Sequence, residues 1–278
     1  FMKADFWHER WQQNQIGFHQ AEINSHLQSY WSRMALGPDA PVFVPLCGKS
    51  RDLLWLRSQG YPVLGVELSP IAVEAFFSEN HIEATAERCG ALECWRADGL
   101  EIRCGDFFDL TAEDLRGIAG VYDRASLVAL PPAMRADYAA HLKAILPSEA
   151  AVLLVTMEYP QAEMDGPPFS VREPEVRGLY EDAYAVERLF TRDALAENPP
   201  LREKGLSALE EKVYRLTPGP GDHGPGRRPG GVTRSPPGPS PRGWSRYWKA
   251  GPGGPPSHAT LVPPPSISVP PFVSPPLP

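Results

Sequence analysis

The sequence predicts an α/β fold: a doubly wound, mostly parallel sheet with helices on both faces. Three observations predict it. Val42 to Glu67 reads as strand, glycine turn, helix, strand and acid, which is a right-handed βαβ unit. Further short apolar runs, Gly120 to Arg124 and Ala151 to Met157, alternate with helical stretches such as Pro131 to Leu146. Polar and charged residues follow these runs directly, so the candidate chemistry collects at the carboxyl ends of the strands.

Within the first unit, Val42 to Leu46 is short and apolar, as suits a strand buried on both faces. Cys47-Gly48-Lys49-Ser50 makes a tight loop. Arg51 to Gln59 carries Leu53, Leu54, Trp55 and Leu56 at helical spacing, and Gly60 stands where a C-cap glycine belongs. Val63 to Val66 is a second strand ending in Glu67, and Ser69-Pro70 reads as an N-cap followed by a first-turn proline. An acid about 20 residues after the turn glycine is placed to hydrogen-bond ribose hydroxyls. Dinucleotide sites and S-adenosylmethionine sites share that arrangement, and the loop separates them. A dinucleotide needs a glycine-rich pyrophosphate cradle, whereas here only Gly48 is present. S-adenosylmethionine carries no phosphate, so one glycine that lets the backbone approach suffices. The plainer alternative keeps Gly48 as a turn residue and Glu67 as an exposed carboxylate.

Upstream, Phe6, Trp7 and Trp11 sit near i, i+4 spacing on a first helix, and Gly17 then leaves Phe18 and His19 in a loop. These aromatics either pack a helix on the sheet or form a lid whose ring faces attract a sulfonium cation. A second amphipathic helix is expected from Asn24 to Met34. Downstream, Ile71 to Glu79 continues a helix, and Asp98-Gly99 is a hairpin signal before a strand from Leu100 to Cys104. Asp106 then stands either as an acceptor for an adenine amine, with Phe107 over the ring, or as a capping residue. Thr111 to Asp114 is expected to open a short helix in capping-box style. Asp123 and Arg124 end the next strand, where a surface ion pair is the bland reading. Gly166-Pro167-Pro168-Phe169 is a stiff loop beside the crevice, Glu173 to Tyr180 is helical, and Tyr184 to Leu189 and Lys212 to Leu216 are the last strands.

At Thr217 the composition changes. Most of the 33 prolines crowd the end of the 278-residue chain, and such density lacks backbone donors for helix or sheet. Residues 1–217 are therefore expected to fold as one domain and 218–278 to be a disordered tail, its abrupt seam suggesting an out-of-frame or read-through translation. A net charge of -7 argues against a nucleic-acid partner. No membrane-spanning run and no secretory signal is read, and Cys47, Cys89, Cys94 and Cys104 lack paired spacing, so reduced cytoplasmic thiols and no metal site are expected.

The motifs F-W-H-E-R-W…I-G-F-H-Q, V-P-L-C-G-K-S…V-L-G-V-E-L-S, C-G-D-F-F-D-L, Y-D-R-A-S-L-V-A-L, G-P-P-F-S-V and L-E-E-K-V-Y-R-L resemble, in order, those of the bacterial thiopurine S-methyltransferases. The likeness covers about Met2 to Thr217. It implies a class I S-adenosylmethionine-dependent methyltransferase with a Rossmann-like, seven-stranded sheet whose last strand is antiparallel. It implies cofactor contacts at Trp11, Leu46, Glu67 and Arg124, with Asp106 and Phe107 at the adenine end and Phe18 near the substrate. Arg124 would also favour an ionised acceptor by charge. The expected activity is methyl transfer to the sulfur of thiopurines and other aromatic or heterocyclic thiols by a cytoplasmic monomer, its partner a small-molecule thiol. A thiolate needs no strong base, and no catalytic residue is assigned. Two alternatives stay open: a module that binds S-adenosylmethionine without turnover, and transfer to selenium or tellurium metabolites. A nicotinamide dehydrogenase is disfavoured by the missing glycines.

Overall fold

The computed structural model describes residues 4–16 and 19–219. In chain order the elements are α1 (Ala4–Gln12), α2 (Ser25–Tyr30) running into a 3-10 turn at Trp31–Met34, β1 (Val42–Val44), α3 (Asp52–Ser58), β2 (Val63–Glu67), α4 (Pro70–Glu79), β3 (Thr85–Cys89), β4 (Leu92–Ala97) and β5 (Leu100–Cys104). Then follow β6 (Gly120–Asp123), α5 (Ser126–Ala129), α6 (Pro132–Ile145), β7 (Ala151–Glu158), α7 (Glu173–Tyr180), β8 (Tyr184–Asp193), α8 (Pro199–Glu203) and β9 (Glu210–Pro218). Several boundaries follow from local chemistry. The Asn24 side chain accepts from the N–H groups of His26 and Leu27, capping α2. Asp98-Gly99 joins β4 and β5 as a two-residue hairpin, with Gly99 at φ +67°.

The strands form one sheet in the order β3-β4-β5-β2-β1-β6-β7-β9-β8. Strands β5, β2, β1, β6 and β7 pair in parallel, and β9 lies antiparallel between β7 and β8. The strand order reverses at β1, whose neighbours are β2 and β6, so the ligand crevice of such a sheet falls there. The sheet has nine strands rather than the expected seven. The two extra strands are β3 and β4, an antiparallel hairpin added beside β5. β3 shows no alternation because it is almost entirely exposed at the sheet edge.

Side chains alternate between two cores. Val42, Val44, Tyr122, Leu153 and Val155 face α2, α3 and α4 through Leu27, Leu53, Leu56 and Phe76. Phe43, Val121, Val152 and Leu154 face α6 and α7 through Tyr138, Leu142, Val176 and Tyr180.

Other expectations are corrected locally. The first strand stops at Val44, because Leu46 takes φ +47° and turns the chain. Thr111 to Asp114 makes the reach-back bonds of a capping box but only a turn, with the Asp114 carboxylate accepting from the Thr111 N–H at 2.7 Å. Cys89 and Cys94 are joined as a disulfide across the β3–β4 hairpin, where four reduced thiols were expected; Cys47 and Cys104 are free. Pro218, expected in the tail, ends β9 opposite Tyr184, and the rest of the tail from residue 220 lies outside the described residues. Among the described residues no helix is long and apolar enough to cross a membrane.

Candidate active site

The turn after β1 is held to the end of β2 by backbone and carboxylate together. The Cys47 N–H donates to the Val66 carbonyl at 2.9 Å. The Gly48 N–H donates to Glu67 Oε2 at 2.9 Å, and the Ser69 N–H to Glu67 Oε1 at 2.8 Å. Glu67 is thus not the exposed carboxylate of the plainer reading; it is 7% exposed. Burial pushes its pKa up, opposed by the N–H groups of Ser69, Gly48 and Leu68. Three backbone N–H groups therefore face the carboxylate, and its remaining acceptor capacity is open to a ligand hydroxyl. Gly48 has φ +54°, and a Cβ there would lie 3.5 Å from the Trp11 ring. Trp11, from the end of α1, is therefore buried directly over the turn. Gly65 is required beneath it, since a Cβ at that point of β2 would meet the Cys47 sulfur at 2.8 Å.

Beyond the ends of β2 and β5, Leu46, Val66, Leu68, Gly105 and Phe107 line a narrow apolar cleft. The Gly105 N–H donates to the Glu67 carbonyl at 2.8 Å, which holds the β5 end beside the acid. Asp106 caps the 3-10 turn Phe107–Asp109 by accepting from the Phe108 N–H at 2.9 Å. The Phe107 ring packs on Tyr138, centroids 4.7 Å apart, and on His141, so it belongs to the core as well as to the cleft wall.

Arg124 follows β6 at the other side of the switch point. Its sequence neighbour Asp123 is not its partner. Alternation along the strand sends Asp123 under α6, where Oδ2 accepts from the Tyr138 hydroxyl at 2.7 Å and Oδ1 from the Ser126 N–H. Burial raises the Asp123 pKa. Arg124 turns instead toward α3, where Nη1 lies 3.6 Å from Asp52 Oδ2. Among the described residues its side chain makes no hydrogen bond, and it is 18% exposed, so its N–H donors stay available. His19 lies near both charges. Its pKa is lowered by burial and then by Lys49 and Arg124, against Glu79 and Asp52. Phe18 lies outside the described residues.

The structure thus brings Trp11, Leu46 and Glu67 together around one turn, sets Phe107 and Asp106 at the adjoining cleft, and places Arg124 across the switch point. Sequence reasoning missed Asp52. The available signal was an acid in the first turn of the helix that follows the glycine loop. Among the described residues no group of three or more His, Cys, Asp or Glu could hold a metal ion.

Solved structures with a similar backbone include an S-adenosylmethionine-dependent methyltransferase from Anabaena variabilis, with TM-score 0.51 and 14% identity over 78% of this chain and 95% of that one. Another is the 1,6-didemethyltoxoflavin-N1-methyltransferase of Burkholderia thailandensis, solved with S-adenosylhomocysteine, with TM-score 0.51 and 15% identity over 77% and 87% of the two chains. At that identity the likeness is one of fold. Sequence similarity is far closer to the thiopurine S-methyltransferase of Nitrosospira multiformis, 51% identical over 77% of this chain and 98% of the relative. That of Pseudomonas entomophila is 52% identical over 78% and 100%. The family described as thiopurine S-methyltransferase matches residues 2–219. With its sheet, its glycine-poor turn and its half-identical relatives, the chain belongs to the thiopurine S-methyltransferase family.

Proposed function

We propose that this protein moves the methyl group of S-adenosylmethionine to the sulfur of thiopurines and other aromatic or heterocyclic thiols. The observation that carries the site reading is the pairing of a buried, partly satisfied Glu67 carboxylate with the uncommitted donors of Arg124 on either side of the switch point. The residues suit the cofactor. The Gly48 turn has no phosphate cradle and lets the Trp11 ring close on its backbone, Glu67 has remaining acceptor capacity for ribose hydroxyls, and the apolar cleft at Leu46, Leu68 and Phe107 suits a flat base. When bound, S-adenosylmethionine supplies an electrophilic methyl group.

The chain's own contribution is alignment and water exclusion. Trp11 covers the turn from above. Arg124 offers a fixed positive charge that lowers the pKa of an acceptor thiol and holds it as thiolate, so no general base is required. Asp106 caps its turn and keeps Phe107 at the cleft wall.

We propose residues 1–219 as the working unit and a monomer as its form. The edge strands β3 and β8 carry Glu87, Arg88, Arg188 and Arg192, and edge charge of this kind resists pairing between copies. A cytoplasmic setting is supported by the free thiols Cys47 and Cys104 and opposed by the Cys89–Cys94 disulfide. Thiol titration of freshly purified protein decides it, four reactive thiols after denaturation favouring the cytoplasm and two refuting it.

The function itself is tested by calorimetry with S-adenosylmethionine, followed by methyl transfer to a thiopurine, an aromatic thiol and selenite. S-methylated product from the first two is expected. Binding without product from any acceptor would make the protein a cofactor-binding module instead.

A further inference from the structure

A buried carboxylate two residues beyond the glycine loop joins the two halves of the site. Asp52, the first residue of α3, is 1% exposed. Its Oδ1 accepts from the backbone N–H of Asn24 at 2.8 Å, across 28 residues of sequence. Its Oδ2 lies 3.6 Å from Arg124 Nη1. Its own N–H donates to Ser50 Oγ at 3.2 Å, inside the glycine loop that meets Glu67. Tyr122 lies on the face of β6 that packs on α3, which brings its phenol near this carboxylate.

Each contact has a separate consequence. Asn24 is the N-cap of α2 and the point where the aromatic N-terminal segment joins the globule, so Oδ1 fixes the root of that segment. At 3.6 Å the pair with Arg124 is a charge contact rather than a hydrogen bond. It orients the guanidinium and leaves its N–H donors open to a ligand. One side chain therefore sets both the covering segment and the cation beneath it. An Arg without such a partner would sample several rotamers at the crevice mouth.

We propose that Asp52 is a positioning residue for methyl transfer, acting through Arg124 while it anchors the N-terminal segment at Asn24. This rests on the reading of Arg124 given above. The test is a double-mutant cycle of Asp52→Asn and Arg124→Ala, read by kcat/KM for a thiopurine and by calorimetric Kd for S-adenosylmethionine. Asparagine keeps an acceptor for the Asn24 N–H but loses the charge. In the wild-type background Asp52→Asn should lower kcat/KM about tenfold, and in the Arg124→Ala background less than about twofold, since contacting residues that act together are not additive. Asp52→Glu restores the charge and should recover most of the loss, which also covers the case in which Asp52→Asn folds poorly. An equal factor in both backgrounds, or no recovery with glutamate, overturns the inference while leaving the site reading intact. If Arg124→Ala alone changes neither kcat/KM nor Kd, both fall together.

Discussion

Replacing Glu67 with glutamine removes the charge from a side chain whose two oxygens hold the Gly48 and Ser69 N–H groups at 2.9 and 2.8 Å. Glutamine keeps one acceptor and turns an NH2 group toward the other N–H. Two charge-assisted bonds, roughly 1.5–3 kcal/mol each, become one neutral bond of about 1 kcal/mol and a donor facing a donor. Much of that loss is offset, because burying the charge was itself unfavourable, as the raised pKa shows. A net destabilisation of about 1 kcal/mol follows, or roughly 2–4 °C in Tm for a domain of this size. The cofactor sees no such offset. Its ribose bonds fall from charge-assisted to neutral, a loss of roughly 1–3 kcal/mol or about 5- to 100-fold in Kd. Calorimetry with S-adenosylmethionine and a thermal melt of the free protein separate the two effects. An unchanged Kd beside a lowered Tm would refute the reasoning and leave Glu67 as a brace for the turn.

The same residue fixes a pH dependence. Folding raises the Glu67 pKa, so its contribution to stability is present in acid and lost as pH rises through the folded value. Cofactor affinity should run the other way, falling as pH drops through that value, because ribose donors favour the ionised form; a flat Kd across the acid range refutes this. Gly48→Ala should weaken S-adenosylmethionine binding and cost about 1 kcal/mol of stability from the positive φ, measured by melting and calorimetry. Arg124→Ala should slow acceptors of high thiol pKa more than those already ionised at neutral pH; a uniform factor over a thiol series would confine Arg124 to the cofactor. Arg135→Leu should destabilise the fold by roughly 1–3 kcal/mol in urea unfolding, since it strips the buried guanidinium from the carbonyls of Leu127 and Leu130 while the half-buried Glu175 is left to solvent. Removing residues 220–278 should leave Tm and methyl transfer unchanged, and a drop of several degrees would show that the tail packs on the core.

By itself the sequence determined the parts of the site that depend on near neighbours. The apolar runs around Gly48, the acid at the end of the second strand, the Asp98-Gly99 hairpin and the helix beginning at Asn24 are all written in short-range periodicity and turn chemistry. The tertiary structure alone decided what distant residues do to one another. Asp123 and Arg124 are adjacent, yet strand alternation sends one to Tyr138 and the other to Asp52, a residue 72 positions upstream. The edge strand β3 and the Cys89–Cys94 link arise from pairing with β4, although β3 itself is exposed and shows no buried face to read. Phe107 is set against Tyr138 and His141 by the packing of α6, and Trp11 over Gly48 by the return of α1 to the turn. The reason is physical: propensity and period are properties of a segment, whereas partners and packing depend on which segments the folded sheet brings together.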